Sequence, residues 1–102
     1  MRARWSSGQP DYLADAFALL PGWTREDREI RRTFRLDDGQ HAALTERVKI
    51  VADALQLSPE IRRLDGHTQI RVRNIEGEEL SASAVTMAAR VEDLYRRITG
   101  GL

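Results

Sequence analysis

His41 and His67 are the two side chains of this sequence whose ordinary pKa lies near neutrality, and no cysteine accompanies them. Neither has the H-x-x-x-H partner or the mixed histidine and carboxylate cluster that a metal requires, so both are expected at the surface and no metal site is expected. Without thiols there are no disulfides, thiol nucleophiles or thiolate ligands. Gly22, Gly39, Gly66 and Gly77 stand alone in turns, and Gly100-Gly101 lies at the chain's end, so no glycine-rich phosphate cradle is present. Ser58, Ser81 and Ser83 have no adjacent base, and each suits a helix terminus better than a nucleophile's place.

Among the carboxylates, Asp53 stands out. It falls one turn before the end of a predicted helix, where it reads either as a solvated charge near Lys49 or as an acid facing a pocket made with the following strands. Arginine is the uneven feature, because Lys49 is the one lysine among 16 basic residues. Arg31, Arg35, Arg71 and Arg73 share the outward parity of two predicted strands. If those strands are neighbours, one sheet face becomes an arginine field suited to bidentate pairing with carboxylates of a protein partner. The alternative is a solvated surface balanced by nearby Asp and Glu.

The elements that must position these residues follow from periodicity. Residues 1–9 are polar and predict a loose arm carrying Trp5. From Pro10, a helix is predicted on Leu13, Ala16, Phe17 and Leu20, ended by Pro21-Gly22. In "REIRRTFRL", Ile30, Arg32, Phe34 and Leu36 share the core parity of a strand, with Arg32 expected to snorkel near a sheet edge. Asp37 or Asp38 caps a second helix to about Leu57, with Leu44, Val48, Val51, Ala52 and Leu55 on its stripe. Ala43, Ile50, Ala54 and Leu57 widen that stripe beyond what one sheet needs, which reads either as packing against another subunit or as a well-buried helix.

Pro59 disfavours helical geometry at Ser58, and Glu60 to Leu64 then predicts a strand before an Asp65-Gly66 turn. "HTQIRVRN" alternates Ile70 and Val72 against Gln69, Arg71 and Arg73. Ser81 or Ser83 caps a last helix buried through Ala84, Met87, Ala88, Val91, Leu94, Tyr95 and Ile98, and residues 100–102 fray. The order is α-β-β-α-β-β-α, an α+β domain over residues 10–99 with three helices on one face of a four-stranded antiparallel sheet.

Composition bounds the function. A chain of 102 residues supports one core, and 16 basic against 16 acidic side chains recommend neither nucleic acid nor a membrane surface. The apolar runs are too short to span a membrane, and "MRARWSSGQP" lacks a secretory core, so a soluble, unprocessed cytoplasmic protein is expected.

The segments "LPGW", "REIRRTFRL", "ERVKIVADALQLSPE" and "LSASAVTMAARVEDL" together resemble the pterin-4a-carbinolamine dehydratase family, from about Tyr12 to Ile98. The resemblance implies the fold just read, homodimers joined through sheet edges, and further association through the second helix, here by Ile50, Ala54 and Leu57. It also implies a site of His-His-Pro at the end of that helix, a third histidine after the last strand, and nearby acids.

The matching positions are Leu57-Ser58-Pro59 and Ile75. Of the acids, Asp53 keeps its carboxylate and the other corresponds to Ala84. Dehydrating a carbinolamine needs a proton donor for the leaving hydroxyl and a base for the nitrogen proton, which leucine, serine and isoleucine do not supply. The sequence is thus similar to a branch with degraded sites associated with α-carboxysome operons. That likeness implies a Rubisco assembly factor working by protein contact, with no catalytic residue and no cofactor, in the cytoplasm or at the carboxysome. The alternatives are a weak dehydratase using Asp53 and Ser58, and a coactivator-like dimerisation module.

Overall fold

Period-two alternation places Ile30 and Phe34 on one side of a strand with Arg31 and Arg35 on the other, and the whole fold is arranged around that division. A computed structural model describes residues 15–26, 28–73 and 81–100. The expectations for the arm, for the helix start at Pro10, for Leu13, for Ile75 and for residues 101–102 lie outside the described residues.

Strands β1 (Thr24–Glu26), β2 (Glu29–Arg35), β3 (Glu60–Leu64) and β4 (His67–Arg73) form one antiparallel sheet in the order β1-β2-β4-β3. The helical turn α1 (residues 15–18) and helices α2 (Asp38–Leu55) and α3 (Ala82–Ile98) cover one of its faces.

The β2–β4 register pairs Ile30 with Val72, Arg32 with Ile70 and Phe34 with Thr68 on the covered face. Ile30, Phe34, Ile70 and Val72 are buried there against Leu44, Val48 and Ala52 of α2 and Ala84, Met87, Ala88 and Val91 of α3. Each large side chain so buried contributes about 1.5–3 kcal/mol relative to exposure. Ala16, Phe17 and Leu20 close one end of this core. Gly66, at φ +72°, makes the tight β3–β4 turn, and its carbonyl accepts from the Leu36 N–H across the end of β2.

Local chemistry sets the helix ends. Asp37 accepts from the Gln40 N–H at 2.7 Å while the Gln40 side chain accepts from the Asp37 N–H at 3.0 Å, a reciprocal cap that starts α2. Ser81 accepts from the Ala84 N–H at 3.1 Å and starts α3. Helix α2 stops at Leu55, two residues short of the sequence expectation. Gln56 turns left-handed at φ 58°, and the Leu57 N–H reaches back to the Ala52 carbonyl at 2.8 Å. That closure satisfies the last carbonyls before the constraint of Pro59 is reached.

Arg32 lies one residue past the last β1–β2 pair, but its head does not run out to water as the snorkelling reading expected. Its guanidinium stays under the helices, where Nη1 donates to Glu92 Oε2 at 2.7 Å and to the Pro21 carbonyl at 2.6 Å. The group also lies over the Phe34 ring, 4.5 Å from its centroid. Trp23 Nε1 donates to the same Glu92 oxygen at 2.8 Å. A charge kept from water needs such partners, and they explain "LPGW": Gly22 adopts φ +91°, and a Cβ there would stand 2.6 Å from Arg32 Nη1.

Candidate functional site

The left-handed Gln56 directs Leu57, Ser58 and Pro59 off the end of α2 and across to β3, and this segment is shared by two clefts. The first is a groove of about 360 Å³ between α2 and β3. Its helical wall is His41, Thr45, Lys49 and Asp53, which repeat every four residues and so share one flank of α2. Ser58, Pro59 and Ile61 form the other side.

His41 is half-exposed on the wall of this groove. Its Nδ1 lies 2.8 Å from Thr68 Oγ1, and that hydroxyl also accepts from Arg63 Nη1 at 3.1 Å. Thr68 is fully buried, so its hydroxyl ties the His41 ring and the Arg63 guanidinium together behind the groove. Thr45 Oγ1 is buried without a partner beside the groove, and Asp53 is exposed and makes no ion pair with Lys49.

The second cleft, of about 240 Å³, lies on the far side of Leu57 and Ser58 against the ends of β2 and β4. Arg71 dominates it. Its Nε and Nη2 donate to the two Glu29 oxygens at 2.9 and 3.1 Å, and Nη1 lies 3.4 Å from Glu60. The Glu29 hydrogen bonds and then the Glu29 charge raise the Arg71 pKa above its ordinary value, against an opposing effect of burial and with a lesser contribution from Glu60. Both carboxylates of this cleft are therefore engaged by one guanidinium, and no histidine lines it among the described residues.

The open face of the sheet answers the arginine question. Arg31 is paired directly with Arg71 across β2 and β4, so the two strands are neighbours and the outward arginines share one face. They are not alike. Arg31 is ion-paired with Glu26 and lies 3.9 Å from Glu29, which joins it to the Arg71 cluster. Arg73 stands opposite Glu29 at one end of the face, and Arg35 opposite His67 at the other. Arg35, Arg73 and the unforeseen Arg62 of β3 make no ion pair among the described residues.

The model of the pterin 4 alpha carbinolamine dehydratase family matches residues 7–94. The chain belongs to that family. Among solved structures it is similar to a transcriptional coactivator/pterin dehydratase from Brucella melitensis, with a TM-score of 0.72 at 16% identity. The match covers 81% of this chain and 92% of the other, and it carries the fold. No curated protein matches the sequence.

Within this member of the pterin dehydratase family, Leu57 and Ser58 line both clefts, Asp53 and Pro59 line the α2–β3 groove, and Ala84 is fully buried in the core, lining neither. Ile75 lies outside the described residues. His67 sits at the hairpin end of β4 with its Nδ1 on the Asp65 carbonyl, and it lines neither cleft.

Of the three helix residues expected at an oligomer surface, Ile50 is 68% exposed and Ala54 is exposed. Leu57 is corrected: it lies past the helix end and packs partly on the core. Sequence reasoning missed Glu26, Glu29, Glu60 and Arg62. Their parity within each strand was readable, but the register that puts Glu29 beside Arg71 is a long-range property. Among the described residues no helix is long and apolar enough to cross a membrane, and no group of three or more His, Asp or Glu could hold a metal.

Proposed function

We propose that this chain is a non-catalytic member of the pterin dehydratase family that acts by protein contact, as an assembly factor for Rubisco subunits of the α-carboxysome. The observation that carries the non-catalytic reading is the segment between the two clefts. Leu57 and Ser58 occupy it, and the carboxylates of the second cleft are held by Arg71. Removing water from a carbinolamine needs a group that can hand over and take back a proton, and neither an alkyl chain nor an alcohol does so near neutrality. The Rubisco partner comes from the resemblance to the degraded-site branch, and the outward arginines supply a surface of the right kind.

The working form is a homodimer joined through β3. That strand lies at the sheet's edge with four of its five residues exposed, and its unpaired N–H and C=O groups suit pairing with a second copy. The test is co-expression with the Rubisco large and small subunits. The yield of assembled holoenzyme should rise, and an unchanged yield rejects the assembly role.

One observation favours a second reading. His41, Asp53 and Ser58 face the same groove, a constellation open to an altered dehydratase. Carbinolamine dehydration is expected at the background rate at every pH. A rate above background that disappears in Asp53→Asn would establish the enzyme instead. The coactivator-like module would require association through α2, read as a tetramer that Ile50→Glu dissociates.

A further inference from the structure

The open sheet face treats its arginines in two ways. At one end, Glu26, Glu29 and Glu60 interleave with Arg31 and Arg71, and Arg73, itself without an ion pair among the described residues, stands opposite Glu29, so acids and arginines are mixed there. At the hairpin end, Arg35, His67 and Leu64 form one row across β2, β4 and β3, and Arg62 stands beside Gln69 in the next row. Adjacent strands lie about 4.8 Å apart, so this row spans about 10 Å.

Arg35 and Arg62 are exposed and make no ion pair among the described residues. His67, on β4 between their strands, is half-exposed, and Leu64, at the sheet edge two residues from Arg62, is 39% exposed. The Asp65 carboxylate, on the turn, makes no ion pair with them, and the inward Arg63 is taken by Asp38 at 2.7 Å.

We propose that this hairpin end, with Arg35, His67, Leu64 and Arg62, is the contact for a protein segment that presents two or more carboxylates beside an apolar side chain. The inference rests on the reading of the chain as a protein-binding family member and places the contact within it. Charge complementarity selects the occupant. Two guanidiniums about two strands apart, with β4 between them, match two separate carboxylates, each of which accepts bidentate donation, while Leu64, two residues from Arg62 on β3, matches an apolar side chain beside them.

A nucleic acid is the poorer fit, because a phosphate backbone needs a longer run of cations and the chain as a whole is neutral. These side chains stand perpendicular to the sheet, which leaves the in-plane edge of β3 open for pairing with a second copy.

The test uses the full chain and two probes, purified Rubisco and a labelled Glu-Asp-Leu-Glu-Asp peptide, with binding read by fluorescence anisotropy. The double variant Arg35→Glu/Arg62→Glu should weaken binding of both probes by at least about tenfold, since charge reversal replaces attraction by repulsion. The milder Arg35→Gln/Arg62→Gln should fall between it and the parent. Arg90→Glu/Arg96→Glu, the same charge change on exposed positions of α3, should bind as the parent does.

Equal binding of Rubisco by the parent and the Arg35/Arg62 variants overturns the contact site and leaves the assembly reading standing. Patch-dependent binding of the peptide with no binding of Rubisco supports the site and rejects that partner. Binding of neither probe overturns both. Patch-dependent binding of a single-stranded oligonucleotide tighter than that of the peptide overturns the choice of a protein segment. Far-UV circular dichroism and melting of every variant keep a folding defect distinct from lost contact.

Discussion

Arg31 and Arg32 are consecutive residues on β2, and their side chains leave opposite faces of one sheet. Arg32 is enclosed by Glu92, the Pro21 carbonyl and the Phe34 ring, while Arg31 joins the exposed Glu26 and the partly buried Glu29 on the open face. The same chemical group therefore has two energetic meanings. Beneath the helices a guanidinium must have every partner in place, since an unpaired buried charge is strongly destabilising. On the open face water substitutes for any partner that leaves, so the pairs there contribute little to stability and remain available for exchange with another protein.

The largest effect should come from the covered side. Glu92→Ala leaves Arg32 without its counter-charge and Trp23 Nε1 without its acceptor, and it should destabilise the fold by about 3–5 kcal/mol in urea denaturation. The double variant Arg32→Met/Glu92→Leu should lose clearly less than the two single changes added together. Additive losses would show that the pair is not a unit and would erase the distinction between the faces.

Gly22→Ala comes next. It places a Cβ against the Arg32 guanidinium and forces a non-glycine residue to a positive φ, for an expected loss of about 1–3 kcal/mol. A stability equal to the parent's would mean that the Arg32 enclosure is loose.

Gln56→Gly acts in the other direction and more weakly. A left-handed position costs a side chain roughly 1 kcal/mol that glycine avoids, so the melting temperature should rise by a few degrees. The clefts beside Leu57 and Ser58 should keep their shape in this variant, because the helix-ending hydrogen bonds are made by the backbone.

The smallest change should be Glu29→Gln on the open face, with a denaturation midpoint close to the parent's and a difference that fades with added salt. The pH profile follows from Arg71. Its pKa is raised in the folded chain, so its pairing is complete below the unfolded value and is lost only as pH rises through the folded one. Both lie beyond ordinary alkaline conditions, so the Arg71 pairing should add no slope to stability between about pH 6 and 9. A large loss in Glu29→Gln would make the exposed cluster a structural element and remove its contrast with Arg32.

The element order, the core parity of Ile30, Phe34, Leu36, Ile70 and Val72, and both helix starts were legible in the sequence. They depend on neighbours within a few residues: a two-residue alternation, a carboxylate or hydroxyl three residues before an amide, and a proline after a helix. The candidate site was legible in part. Leu57, Ser58 and Pro59 do lie between clefts, but the left-handed Gln56 that places them and the half-buried His41 beside them carried no sequence signal that was recognised. Arg32 was the clearest misreading, because its core parity was visible while Glu92, the partner that holds its head beneath the helices, lies 60 positions away.

By itself, then, the amino-acid sequence determined which residues could face inward and where each helix begins, since these follow from the geometry of a single strand or turn. Only the tertiary structure decided which charges meet. Glu92 reaches Arg32 from 60 positions away and Glu29 reaches Arg71 from 42, through a β2–β4 register in which a slip of one residue would turn every side chain to the other face. That register leaves Arg31 and Arg71 neutralised and Arg35 and Arg62 uncommitted, because it sets the acidic residues of three strands at one end of the sheet.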